Sequence, residues 1–176
     1  IERLSGAERR LHHPVPQEVA LVLDRPWEGN WCAGFTVFQD SNSASSQGLY
    51  RMYYRGARET QLTQNPPDKQ VAPEQTFACY AESHDGITWT RPSLGLFEVA
   101  GTRDNNVVLP QEISPVTGAH SIMPFVDTRP GVPPEERYKA VGGLQAFVSS
   151  DGIHWRLSDK VVIEGRDSCN LVFWDA

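Results

Sequence analysis

Four carboxylates stand in runs whose composition fits chemistry rather than packing. They are Asp24 and Glu28 in Asp24-Arg25-Pro26-Trp27-Glu28-Gly29-Asn30-Trp31, Asp104 in Thr102-Arg103-Asp104-Asn105-Asn106, and Asp167 in Gly165-Arg166-Asp167-Ser168-Cys169-Asn170. Each run mixes acids with turn formers, as a binding loop on a rigid scaffold does. Acids converging on one pocket are what glycoside cleavage requires: one protonated to assist the leaving group, another ionised as base or nucleophile. Crowding and burial would split their pKa values. Trp27 and Trp31 flank Glu28, where aromatic faces would stack on a sugar and desolvate the carboxylate. Arg103 is placed to keep Asp104 ionised, and His120, Arg166 and Asn170 add substrate-binding groups at equivalent loop ends. The candidate catalytic residues are thus Asp24, Glu28, Asp104 and Asp167, and the substrate-binding set is Trp27, Trp31, Arg103, His120, Arg166 and Asn170. Asp24 before Arg25-Pro26 also suits a turn, Asp104 a plain Asp-Asn-Asn loop, and His120 a structural histidine. Glu112 and Glu164 read as surface charges.

The elements that must position these loops repeat. Ser83-His84-Asp85-Gly86-Ile87-Thr88-Trp89 returns as Ser149-Ser150-Asp151-Gly152-Ile153-His154-Trp155, each copy after a short apolar run. Asp-Gly between apolar runs is a hairpin signal. The Asp and Gly suit a turn with positive φ, the Ser can bond the turn backbone, and the Trp is placed to cover a neighbouring sheet. The motif is therefore structural; it resembles the Asp-box turns of sialidases without matching their spacing.

Around the motif, residues 1–18 read as an irregular lead-in and 19–23 as a short apolar strand. Gly34–Asp40, Leu49–Gly56, Thr76–Glu82 and the segment around Trp89 follow as a four-stranded meander, with a long loop over 57–75. The programme then repeats: His120–Asp127, Tyr138–Gly143, Leu144–Ser150 and Ile153–Leu157. Leu171-Val172-Phe173-Trp174-Asp175 aligns with Thr36-Val37-Phe38-Gln39-Asp40 and with Met123-Pro124-Phe125-Val126-Asp127, opening a third cycle. With almost no helical period, repeated four-stranded units point to an all-β β-propeller; a β-sandwich with accidental repeats is the competitor. The expected organisation is a lead-in over 1–18, blade 1 over 19–101, blade 2 over 102–163 and the first strand of blade 3 over 164–176, a fragment of one catalytic domain. An open propeller edge would drive association with a partner or with the remainder of the chain.

The formal charge of the 176 residues is −6 and the basic residues are scattered. No nucleic-acid or anionic-membrane surface is expected from that pattern. No apolar run approaches a membrane span. The start at Ile1 reads as a processed or trimmed piece. Cys32, Cys79 and Cys169 have no CxxC spacing, so they read as small buried hydrophobes rather than a disulfide framework or zinc site, with one bridged pair left open for an exported protein. Adjacent His12 and His13 read as a solvated surface.

Together, Asp24–Gly29, Tyr50-Arg51-Met52-Tyr53-Tyr54-Arg55-Gly56, Pro133–Ala140 and Asp167–Asp175 resemble bacterial proteins described as glycoside hydrolase family 32-like, relatives of the five-bladed propeller enzymes of families 32, 43 and 68. The resemblance runs over residues 19–176. It implies a five-bladed propeller with an axial acidic pocket that hydrolyses fructosides, arabinosides, xylosides or related glycans, with no cofactor or metal and a carbohydrate as partner. It places Asp24 or Glu28 as the blade-one acid and Arg103-Asp104 as the blade-two pair. Asp167 stands where blade three opens, without the Glu-Cys pair of the better-known members, and blade one lacks their Asn-Asp-Pro-Asn run. Those departures keep a non-catalytic carbohydrate-binding or scaffolding propeller in view. The expected location is periplasmic or extracellular.

Overall fold

The structure, a computed structural model, describes residues 6, 10–40, 48–58, 75–110, 122–142, 145–162 and 170–174. These residues form two antiparallel four-stranded sheets and almost no helix. The first sheet runs in order β1 (Trp31–Asp40), β2 (Leu49–Arg58), β3 (Gln75–Ser83), β4 (Val107–Pro110). The second runs β5 (Met123–Val126), β6 (Tyr138–Gly142), β7 (Gln145–Ser149), β8 (Arg156–Val162). A short 3-10 turn, Pro134–Glu136, precedes β6.

β2 carries large side chains on both faces because both are covered. Successive strand residues point to opposite sides, so Arg51, Tyr53, Arg55 and Ala57 share one face and Tyr50, Met52, Tyr54 and Gly56 the other. The first face joins Tyr53, Ala78, Tyr80 and Leu109 to Tyr138, Ala140, Phe147 and Trp155 of the second sheet in one core. The second face packs Tyr54, Cys79, Ala81 and Val107 against Leu21, Leu23, Trp27 and Phe97. β1 bulges between Ala33 and Thr36, where Gly34 takes φ +63, and Phe35 stacks on Tyr54 with centroids 5.8 Å apart.

The same register recurs. Tyr50 pairs with Ser83 and Tyr138 with Ser149, so Arg51 and Lys139 are equivalent, as are Tyr53 and Val141. The face of the second sheet that meets the first is thus the counterpart of the Tyr50–Tyr54 face. Both sheets are stacked the same way round, with Thr36 Oγ1 of β1 donating to Met123 Sδ of β5 at 2.6 Å.

Four strand expectations are corrected. Residues 19–23 lie outside the ladders; Leu21 and Leu23 pack on the core while Val19 and Val22 face solvent. The segment around Trp89 makes only the bridge Glu82↔Thr90, and the fourth strand is Val107–Pro110 instead. The turn itself explains this: Asp85 Oδ1 accepts the N–H groups of Ile87 and Thr88 at 2.8 and 2.7 Å, which removes them from a ladder, and Pro92 brings no donor of its own. In the second copy Asp151 takes the N–H groups of Ile153 and His154, both at 2.8 Å, so β8 starts at Arg156 rather than Ile153. Leu171–Trp174 form no strand among the described residues.

The repeated motif is structural, as read from the sequence. Ser83 Oγ accepts the N–H of Gly86 at 2.9 Å, and Ser149 Oγ that of Gly152 at 2.9 Å. Trp155 crosses to the neighbouring sheet and meets Tyr53 edge-on at 6.1 Å. Trp89, like Leu21, Leu23 and Trp27, packs against the cluster of Tyr54, Cys79, Ala81 and Val107.

Candidate functional site

The loop Asp24–Asn30 is folded onto the first sheet. Glu28 N–H closes a turn on Arg25 C=O at 3.0 Å, while Glu28 C=O accepts Ala57 N–H and Asn30 N–H donates to Ala57 C=O. This close approach requires Gly56, whose replacement side chain would start 3.0 Å from Glu28 Cα and 3.1 Å from Trp27 C=O.

Glu28 is fully buried and its carboxylate is saturated. Oε2 receives Arg25 N–H at 2.8 Å and Arg91 at 2.9 Å; Oε1 receives Tyr54 Oη–H at 2.5 Å and Arg91 at 3.0 Å. Arg91 also reaches Asp24 Oδ1 at 3.1 Å and Val22 C=O at 3.0 Å. Burial drives the Tyr54 phenol upward first, and its bond to Glu28 adds to that. Trp27 is likewise an internal tie: its indole N–H donates to Asn106 Oδ1 at 2.6 Å, and Asn106 donates on to Tyr54 Oη and Tyr80 C=O at 2.9 and 2.6 Å. Glu28, fully buried, and Trp27, half-buried, therefore hold the loop on the sheet. Cys32 and Cys79 beside them are free thiols raised by burial, and Cys169 lies outside the described residues.

The remaining candidates divide. Asp24 is exposed and bound to Arg91. Asp104 is exposed, and Arg103 turns away from it to the carbonyls of Gly95 and Leu96 at 3.2 and 3.4 Å, so the expected Arg103–Asp104 pair does not form. Asn170 is half-buried. Asp167, His120 and Arg166 lie outside the described residues, as do Glu112 and Glu164. Trp31 keeps 43% of its surface exposed, while Arg55, buried, stacks beneath it with the guanidinium carbon 3.8 Å from the ring centroid. That contact fixes the indole plane at the start of β1, on the side facing the second sheet. No group of three His, Cys, Asp or Glu among the described residues could hold a metal ion, and no helix is long and apolar enough to cross a membrane.

Two polar clusters were missed from the sequence. In the first, Asp40, buried at the end of β1, receives Arg51 Nε at 3.0 Å and the hydroxyl of Tyr138. Arg51 reaches on to Asp151 C=O at 2.8 Å, and Tyr53 Oη to Gly152 C=O at 2.8 Å. In the second, Asp127 takes Arg129 at 2.7 Å and Lys139 at 2.5 Å; Arg129 first, then Lys139, hold its carboxyl well below the usual range against the opposing effect of burial. The signal was present in the repeat, since an Asp closes β1 and another directly follows β5, while Tyr-Arg stands near the start of β2 and Tyr-Lys opens β6. Arg91 had no such signal, because its partner is remote in sequence.

Comparisons with family models, with curated proteins and with solved structures found no match.

Proposed function

We propose that the two sheets are successive blades of a carbohydrate-acting β-propeller, and that sugar is met at the N-terminal end of β1 with Trp31 as its platform. The propeller reading is supported by the repeated register and same-way stacking of the sheets. The five-bladed ring, and a periplasmic or extracellular location, belong to the same proposal and rest on the resemblance to family 32-like proteins. The sugar reading is carried by Trp31, an exposed indole whose orientation is fixed from behind by a buried guanidinium. Such a rigid aromatic face accepts the C–H face of a pyranose or furanose with little loss of side-chain freedom.

Hydrolysis is the reaction the resemblance implies. Its acid pair would come from Asp24, Asp104 and Asp167, because every Glu28 oxygen is already engaged. That saturation favours the second reading, a carbohydrate-binding propeller without turnover. Titration with fructo-, arabino- and xylo-oligosaccharides, followed by tryptophan fluorescence and by release of reducing sugar, tests both. Binding abolished in Trp31→Ala supports the site. Turnover lost in Asp24→Asn or Asp167→Asn selects the hydrolase, whereas binding without turnover selects the binder. Absence of binding to every sugar class overturns the proposal.

A further inference from the structure

β1 carries two large exposed rings, and each is backed in the same way. Trp31 keeps 43% of its surface exposed over the buried guanidinium of Arg55, and Phe35 keeps 51% exposed over the buried ring of Tyr54. The Phe35 and Tyr54 centroids lie 5.8 Å apart with their planes inclined by only 17°. Tyr54 is itself held, since Asn106 donates to its hydroxyl at 2.9 Å. A planar group on β2 thus supports the rear of each ring and leaves its front to solvent. Covering either front with a ligand costs little side-chain freedom.

The bulge in β1 sets how the two rings stand to one another. Trp31 pairs with Ala57, on the face of the first sheet that meets the second. Strict alternation would put Phe35 on that face too. The extra residue between Ala33 and Thr36 turns Phe35 to the opposite face instead, over Tyr54. β1 ends the strand order of its sheet, and no strand pairs with its outer edge among the described residues. A ligand that touches both rings therefore crosses this edge beside Gly34, which takes φ +63 and puts no side chain in the way. Four residues at about 3.3 Å each place the two Cα atoms up to roughly 13 Å apart. A single sugar ring does not span that distance, whereas a chain of linked sugars does, with hydroxyls that suit the amide and carbonyl groups of an edge strand.

We propose that Phe35 forms a second subsite beside Trp31, so that the ligand is a linear oligosaccharide laid across the β1 edge rather than a single sugar. The proposal rests on the sugar reading of Trp31 and adds a chain-length preference to it. Phe35 is the residue that sets this preference, because it acts only on ligands long enough to reach it.

Calorimetric titration of the 176-residue chain with fructo-, arabino- and xylo-saccharides of one to four units tests it. Affinity should rise by about tenfold or more once the ligand reaches the second ring. Phe35→Ala should remove that gain and leave monosaccharide affinity unchanged. Phe35→Leu, which keeps an apolar contact with Tyr54 but no flat ring, should do the same and serves where alanine disturbs the strand. Phe35→Tyr should retain the gain. Circular dichroism sets the folded fraction of each variant. An affinity independent of chain length, or a gain that survives in folded Phe35→Ala or Phe35→Leu, overturns the second subsite and leaves the Trp31 platform standing. Absence of binding at every length overturns both.

Discussion

Tyr138 of the second sheet donates its hydroxyl to Asp40 of the first, at the same oxygen that receives Arg51 Nε at 3.0 Å. Asp40 is thus the acceptor at which two sheets and a buried cation meet. Tyr138→Phe removes one bond and leaves the ion pair, so it should cost about 1–2 kcal/mol in urea unfolding. Asp40→Ala strands Arg51 in the interior and should cost about 3–5 kcal/mol. Equal effects of the two would contradict this assignment.

The two Asp-Gly turns provide an internal comparison. Gly86 and Gly152 adopt φ +77 and +78, so alanine at either pays a left-handed penalty of about 1–2 kcal/mol. At Gly152 the new methyl also meets Tyr53 Oη at 2.7 Å and Arg51 at 2.9 Å, which adds overpacking of about 1–3 kcal/mol. Gly152→Ala should therefore lower the unfolding midpoint clearly more than Gly86→Ala. Matching midpoints would mean that the second turn is not clamped between the sheets.

Much of this was legible in the residues. The Ser-x-Asp-Gly-x-x-Trp repeat gave the four-strand period, and the Asp that closes β1 and the stretch after β5 marked equivalent positions. What failed was local hydrogen-bond accounting. A hairpin was read directly across Asp85-Gly86 because the pattern sees apolar runs, whereas the Asp85 carboxylate captures the N–H groups that a following strand needs. Glu28 between two tryptophans looked like a desolvated catalytic acid. Its desolvation is real, but Arg91 and Tyr54, far away in sequence, supply the charge and the donors that make it a fastener.

Glu28 and Trp31 should separate stability from binding. Glu28→Gln leaves Arg91 facing a neutral amide, with Asp24 as its remaining carboxylate, and should cost about 3 kcal/mol while leaving sugar affinity per folded molecule unchanged. Trp31→Ala removes an exposed ring and should change stability by less than about 1 kcal/mol yet abolish binding. Calorimetric titration of both variants, with folded fractions set by circular dichroism, measures the difference. Loss of binding in Glu28→Gln at full folded fraction would return Glu28 to the site.

Stability should form a plateau bounded by groups whose shifts have opposite signs. Burial first, then the bond to Asp40, raise Tyr138 to about 12, from an ordinary value of about 10. A raised folded value means that its contribution is fully present below about pH 10 and is lost as pH climbs through 12. Tyr53, Tyr54 and Tyr80 are raised further, chiefly by burial, and extend the same limb. At the acid end, burial raises Asp151, but the backbone and side chain of His154, then Ile153 N–H and Ser149, outweigh it and bring it to about 2. A lowered folded value contributes above the ordinary figure of about 4 and is lost as pH falls towards 2. Thermal midpoints should hence be level between about pH 4 and 10 and fall on both sides. Asp151→Asn should lower the plateau and flatten the acid limb, while Tyr138→Phe should soften the alkaline one. Phenolate absorbance that rose near pH 10 for every tyrosine of the still-folded chain would refute the buried placement of these hydroxyls.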